Sequence, residues 1–152
     1  RGPGLPAGVS RDEMVLNNDF APTFADLAGL PPPAFVDGRS FASLLDRTRR
    51  NEPASWRTAF EIRNWDNKRN EASYRAVAPV PPYRAVRTQR YLYVEYAAGE
   101  RELYDLRKDP YERNNLYDSA NPDLISKLEA RLDALRDCAG EDCRAAEDGQ
   151  PK

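Results

Sequence analysis

The stretch Glu102-Leu103-Tyr104-Asp105-Leu106-Arg107-Lys108-Asp109-Pro110-Tyr111-Glu112-Arg113-Asn114-Asn115-Leu116 decides how this chain folds. Residues 102–106 are the length and type of a strand, with polar and apolar side chains interleaved. Asp109-Pro110 then fixes a turn, because proline sets its own φ and a preceding aspartate bonds local backbone N–H groups. A helix approach follows. Nothing in the stretch is equipped for chemistry at neutral pH. Its carboxylates have no histidine, cysteine or glycine-rich loop to work with. So dense a structural string without catalytic equipment reads as an architectural piece of something larger.

Working outward, residues 90–96 are rich in tyrosine and alternate in polarity, as a strand does. Residues 83–88 read the same way, and the short Thr88-Gln89 connection joins the two as a hairpin. Residues 98–100 form the next turn, and residues 57–62 supply a further strand. The result is an antiparallel sheet of about four strands. Asn121-Pro122-Asp123 opens the last helix, with Asn121 as N-cap and Pro122 in the first helical position. Leu124, Ile125, Leu128, Leu132 and Leu135 make one apolar stripe; Lys127, Glu129, Arg131 and Arg136 are expected on the wet side. The fold class is therefore α+β, a small antiparallel sheet packed on a long C-terminal helix.

The first 50 residues are of another kind. Residues 1–8 form a Gly/Pro loop that matches no phosphate-binding motif. Asp19 reads as the N-cap of a helix of about ten residues, packed through Phe20 and Phe24, with Gly29 after its end. Pro31-Pro32-Pro33 stops it. Ser40 reads as the cap of a second short helix through Phe41, Leu44 and Leu45. The polar residues 47–53 suit a boundary between subdomains.

Composition narrows the function. The chain has 152 residues, of which 40% are apolar, enough for a real core. Lys plus Arg number 23 against 25 Asp plus Glu, a net charge of −2 with no basic block. That balance argues against a nucleic-acid or general polyanion binder. No apolar run approaches the length of a membrane span. The first residue is Arg1, so the natural amino terminus is expected to lie further upstream. There is no histidine at all. The commonest general base near pH 7 and the commonest nitrogen ligand for metals are missing, and Ser-His-Asp and Cys-His chemistry is excluded. Cys138 and Cys143 have the wrong spacing for a redox C-x-x-C motif and too few companions for zinc. A local disulfide is the expectation, with two free thiols as the alternative. A bridge across so small a loop contributes roughly 2 kcal/mol on chain-entropy grounds and places the protein in an oxidising compartment.

Three places invite a binding reading. Asp105 and Asp109, near Glu102 and Glu112, suit either a carboxylate pair or Ca²⁺ site, or plain turn chemistry. Residues 64–70 sit in a long loop and offer Trp65 as an aromatic platform, Asn67 as a hydrogen-bonding amide, and Lys68 and Arg69 as cations for an anionic sugar. Tyr83 stands at the end of that loop. The alternative is a solvated loop whose Trp65 packs on the sheet. The tyrosines and arginines of residues 83–96 suit base stacking as well as a half-buried strand, and the strand explains them without a ligand.

Two strings resemble the C-terminal part of sulfatases, the alkaline-phosphatase-like sulfate ester hydrolases. The first is Arg1-Gly2-Pro3-Gly4, then Asn18-Asp19-Phe20-Ala21-Pro22-Thr23-Phe24-Ala25-Asp26-Leu27-Ala28-Gly29, then Asp37-Gly38-Arg39-Ser40-Phe41. The second runs from Tyr83-Arg84-Ala85-Val86-Arg87-Thr88 through Tyr91-Leu92-Tyr93 to the opening stretch. The long insertion after Glu61 resembles the glucosamine-6-sulfatase-like branch. The resemblance implies three regions: residues 1–50 as the tail of an α/β catalytic domain, residues 51–137 as the C-terminal subdomain, and residues 138–152 as a tail with the disulfide loop. It implies a secreted or periplasmic protein. It also implies that the formylglycine motif Cys/Ser-x-Pro-x-Arg, the Ca²⁺ ligands and the catalytic histidines lie upstream, since none is in this chain. The partners implied are that N-terminal catalytic part and a sulfate ester substrate, with no nucleic acid and no membrane. The chain would complete the fold and wall the substrate pocket without cofactor or catalysis of its own. A stand-alone module binding sulfated glycan or another polyanion is the alternative.

Overall fold

Four strands form one antiparallel sheet in the order β1-β2-β3-β4: β1 Ala59–Asn64, β2 Tyr83–Thr88, β3 Tyr91–Tyr96 and β4 Arg101–Asp105. This computed structural model describes residues 5, 7–33, 35–45, 56–64 and 80–149. The chain divides into two units, Arg1–Thr58 with Asp137–Gln150, and Ala59–Arg136 with Pro151–Lys152. The sheet belongs to the second.

Register places Val86 opposite Tyr93 and Tyr93 opposite Leu103, so these three share one face. All three are buried, and α3 (Pro122–Arg136) packs on that side through Leu128, Leu132 and Leu135. The Tyr93 hydroxyl lies 3.1 Å from Glu129 Oε1 of the helix and 2.9 Å from Glu95 Oε1 of its own strand. Asn121 caps the helix as expected, its Oδ1 accepting the Asp123 N–H at 2.8 Å. Arg131, expected on the wet side, is buried instead. Residues 128, 131, 132 and 135 follow the i, i+3, i+4, i+7 spacing of one helix face, so Arg131 falls inside the apolar stripe. The other sheet face centres on Ala85, Leu92 and Val94, ringed by Ile62, Tyr83, Tyr96, Tyr104 and Leu106.

The hairpin between β2 and β3 turns at Gln89 and Arg90. Thr88 Oγ1 accepts the N–H groups of Arg90 at 3.2 Å and Tyr91 at 2.7 Å. Beyond β4, Asn115 Oδ1 accepts the Leu103 N–H at 3.0 Å and Asn115 Nδ2 donates to the Arg101 carbonyl at 3.0 Å. The Leu116 N–H donates to the Leu103 carbonyl at 2.8 Å.

Among the described residues the first unit holds the helices α1 Phe20–Leu27, α2 Ala42–Leu45 and α4 Glu141–Asp148. A 3₁₀ turn at Asn17–Asp19 leads into α1. At its other end the Leu30 N–H reaches the Ala25 carbonyl at 2.9 Å and the Gly29 N–H the Asp26 carbonyl at 3.0 Å, a Schellman closure with Gly29 at φ 73°. Two expectations for α1 fail. Asp19 has helical backbone angles and makes no side-chain cap, because its carboxylate is drawn inward. Phe20 and Phe24 are exposed, while Pro22 and Thr23 are buried. Both failures have one cause: Asp19 and Thr23, four residues apart, form the side that packs inward. Ser40 Oγ does accept an N–H from α2, that of Ala42 at 3.2 Å. Cys138 and Cys143 are joined by a disulfide with Cα atoms 4.8 Å apart. Cys143 lies within α4, so much of the stretch expected as a tail is helical.

Candidate functional site

A cluster of buried charges lies inside the first unit. Trp56 and Arg57 precede the sheet, and Trp56 Nε1 donates to the Met14 carbonyl at 3.0 Å. The Arg57 side chain is fully buried beside an equally buried Asp19. Its Nη1 and Nη2 donate to the two Asp19 oxygens at 2.5 and 2.9 Å, and its Nε to Glu147 Oε2 at 2.7 Å. Arg39 meets the same Glu147 oxygen at 2.9 Å and Asp148 Oδ1 at 2.5 Å. Its guanidinium lies over the Trp56 ring, 5.6 Å from the centroid.

Local chemistry brings these groups together. Gly38 lets the 37–39 turn pass close to the 3₁₀ segment, since a Cβ there would collide with the Asn18 carbonyl. The Arg39 and Leu16 N–H groups then donate to Asp19 at 2.9 and 2.7 Å. α4 is held at both ends. The Gly140 N–H, at φ 56°, donates to Asp37 Oδ1 at 2.7 Å, and the Thr58 N–H donates to the Glu147 carbonyl at 2.9 Å. Burial pushes the Asp19 carboxyl up, but the Arg57 guanidinium and the two backbone N–H groups outweigh it and hold Asp19 below its ordinary value. Burial likewise pushes Arg57 down, and Asp19 with Glu147 more than restores it, leaving its pKa raised. Charges matched this closely hold the unit together. They offer no poised base and no free nucleophile.

The opening stretch is occupied in the same sense. Arg90 Nη2 donates to Asp105 Oδ2 at 2.8 Å, and this guanidinium holds the Asp105 carboxyl below its usual range. Asp109 Oδ2 accepts the N–H groups of Arg113 at 2.7 Å and Asn114 at 2.8 Å. One aspartate serves an arginine and the other a turn, so the turn reading describes this stretch. Among the described residues no group of three or more His, Cys, Asp or Glu could hold a metal ion. Burial and Glu102 push the Tyr104 hydroxyl up to about 12, and burial with Glu95 and Glu129 raises Tyr93 further. Neither tyrosine is an acid or base at neutral pH.

Of the residues expected at a substrate contact, Trp65, Asn67, Lys68 and Arg69 lie outside the described residues. Tyr83 is on β2, its ring edge-on to Tyr96 with centroids 5.7 Å apart, packed against the Ala85, Leu92 and Val94 cluster. The buried ionic group was missed by sequence reasoning. Its only sequence signal is Arg57 set beside Trp56 and close before an apolar strand.

The family described as N-sulphoglucosamine sulphohydrolase, C-terminal, matches residues 3–138. The chain belongs to the sulfatase family. An arylsulfatase of Chlamydomonas reinhardtii is 35% identical to it over 94% of this chain and 25% of that protein. The N-acetylglucosamine-6-O-sulfatase of Bacteroides thetaiotaomicron is 31% identical over 76% of this chain and 20% of that protein. A structure solved with its substrate D-glucosamine-2-N,6-O-disulfate superposes with a TM-score of 0.64 at 29% identity, covering 88% of this chain and 24% of the other. The chain spans a quarter or less of the length of these sulfatases and corresponds to their C-terminal region. The α+β sheet-and-helix arrangement is that of a sulfatase C-terminal subdomain, as expected. Among the described residues no helix is long and apolar enough to cross a membrane.

Proposed function

We propose that this chain is the C-terminal subdomain of a secreted or periplasmic sulfuric ester hydrolase acting on a sulfated sugar. It completes the fold and walls the substrate pocket, and it is not catalytic alone. The observation that supports this is one of proportion: the match runs over 94% of this chain but 25% of its relative. The family's Ca²⁺ and formylglycine do not fit these residues. There is no Cys/Ser-x-Pro-x-Arg sequence, both cysteines are bridged, and no metal-binding cluster occurs among the described residues. We assign both groups, with the catalytic histidines, to polypeptide upstream of residue 1. Trp65, Asn67, Lys68, Arg69 and Tyr83 are our candidates for sugar contact.

The sulfated amino sugars named for the relatives suggest N-acetylglucosamine 6-sulfate as the first substrate to try. The longer protein should release sulfate from it, and the 152-residue chain should not. In the longer protein Trp65→Ala or Lys68→Ala should raise KM more than it lowers kcat. Metal-dependent turnover by the 152-residue chain alone would overturn the assignment. Saturable heparin binding by that chain, with no sulfatase activity in the longer protein, would favour the stand-alone module.

A further inference from the structure

The bonds that hold α4 in place are polar. Within this helix Glu147 is buried, whereas Ala145 is exposed and Ala146 half-buried. Arg39 donates to the Arg144 carbonyl at 3.0 Å besides meeting Glu147 and Asp148, and Arg144 Nη1 donates to the Val36 carbonyl at 2.9 Å. The Thr58 N–H and hydroxyl both donate to the Glu147 carbonyl, at 2.9 and 3.1 Å. A helix of 8 residues does not persist by itself in water. Water also satisfies most of these groups once the helix has left, so each bond adds little net hold. The covalent restraint sits at the helix start. Cys138 precedes the helix and Cys143 lies in its first turn, 5 residues on. The ring they close contains Gly140, whose N–H is tied to Asp37. Both cysteines are half-buried, within reach of a small thiol.

We propose that Cys138–Cys143 is a site of reversible thiol–disulfide exchange that governs whether α4 stays docked over the Arg57–Asp19 pair. The reductant is a dithiol or glutathione. One thiolate attacks a bridge sulfur and forms a mixed disulfide, and a second thiolate displaces it. Cys138 and Cys143 gain two electrons and two protons, and the attacking thiols leave as a disulfide. With the ring closed, the entry to α4 is fixed and Glu147 is held against Arg57. With the ring open, the undocked helix regains its freedom, and docking loses about thirtyfold, the loop-closure factor of so short a ring. Departure of α4 carries Glu147 off the buried guanidinium and admits water to Arg57 and Asp19. The bridge is open in a reducing compartment and closed in an oxidising one, so the helix locks only where the thiols oxidise. This inference stands whether or not the chain is part of a longer sulfatase.

Amide exchange of the 152-residue chain, oxidised and in dithiothreitol, tests it. The Thr58 N–H is bonded to the Glu147 carbonyl and the Gly149 N–H to the Ala145 carbonyl. Both should exchange about thirtyfold faster after reduction. The Leu30 N–H at the end of α1 and the amides of β3 should keep their rates. Cys138→Ser combined with Cys143→Ser should behave as the reduced chain and ignore the reductant. Equal rates at Thr58 and Gly149 in both redox states would overturn the proposal. So would an equal acceleration at Leu30, which would make the bridge a general staple. Linkage supplies a second measurement, because α4 must favour the bridge by the factor by which the bridge favours α4. Glu147→Ala should therefore shift the equilibrium with glutathione toward the open thiols by up to about thirtyfold. An unshifted equilibrium would also overturn the coupling.

Discussion

Replacing Arg57 by Met removes a side chain that touches both Asp19 and Glu147. Arg57 is fully buried, and so is the Asp19 carboxylate beneath it. Three charge-assisted hydrogen bonds, at 2.5, 2.7 and 2.9 Å, disappear together. Methionine fills most of the volume, so the loss is chiefly electrostatic. Breaking a buried pair by removing one partner costs about 3–5 kcal/mol, because the other charge stays behind uncompensated. Glu147 keeps Arg39 at 2.9 Å, whereas Asp19 keeps only backbone N–H groups, so the penalty falls mainly on Asp19. Urea unfolding of the 152-residue chain, followed by tryptophan fluorescence, should show the midpoint falling at unchanged slope. Asp19→Asn should be destabilising by itself. In the double variant the two effects should fall short of their sum by about 1–3 kcal/mol, since removing both charges leaves no orphan. Arg57→Met costing less than about 1 kcal/mol, or strict additivity with Asp19→Asn, would refute the argument that these charges are matched in a dry interior.

Two further outcomes follow from the same structure. Burial opposes its ionisation, but Arg57 and the backbone N–H groups hold Asp19 below the ordinary aspartate value of about 3.9, so its contribution is complete above that pH and is lost as pH falls through the depressed folded value. Urea midpoints measured from pH 6 to 2 should therefore show an acid limb below about pH 4 that is shallower in Asp19→Asn. Asp109→Ala removes the acceptor for the Arg113 and Asn114 N–H groups and should cost about 1 kcal/mol while leaving the β3–β4 pairing intact by amide exchange.

How much could be read from the sequence depended on whether a residue's role was local. The strands of the meander are visible because each alternates and each is bounded by a turn residue. Asn121-Pro122 is visible because capping is decided within four residues. The ionic group of the first unit was not, because Arg57 and Glu147 are 90 residues apart and no periodicity joins them. Asp19 shows the limit most plainly. Its position before a helical pattern is that of a cap, yet a guanidinium 38 residues away takes its carboxylate. Arg131 was misplaced for a different reason. Charge was weighed over helical position, although position 131 lies between 128 and 132 on the buried face. The candidate sugar-contact loop was legible as composition alone, a set of side chains suited to an anion and a ring.

Asn115 gives the stretch that opened the sequence reading a meaning beyond geometry. Its side-chain amide copies the donor and acceptor of a peptide unit, and with Leu116 it occupies the Arg101 carbonyl and both the N–H and the carbonyl of Leu103. The Asp105 carbonyl, on the same side of the strand, is taken by the N–H groups of Lys108 and Asp109. A foreign strand arriving at β4 finds most of the pairing groups along that edge already engaged, which disfavours extension of the sheet there. At this edge the folded chain thus carries its own terminator against cross-β growth, a safeguard for a sheet rich in tyrosine.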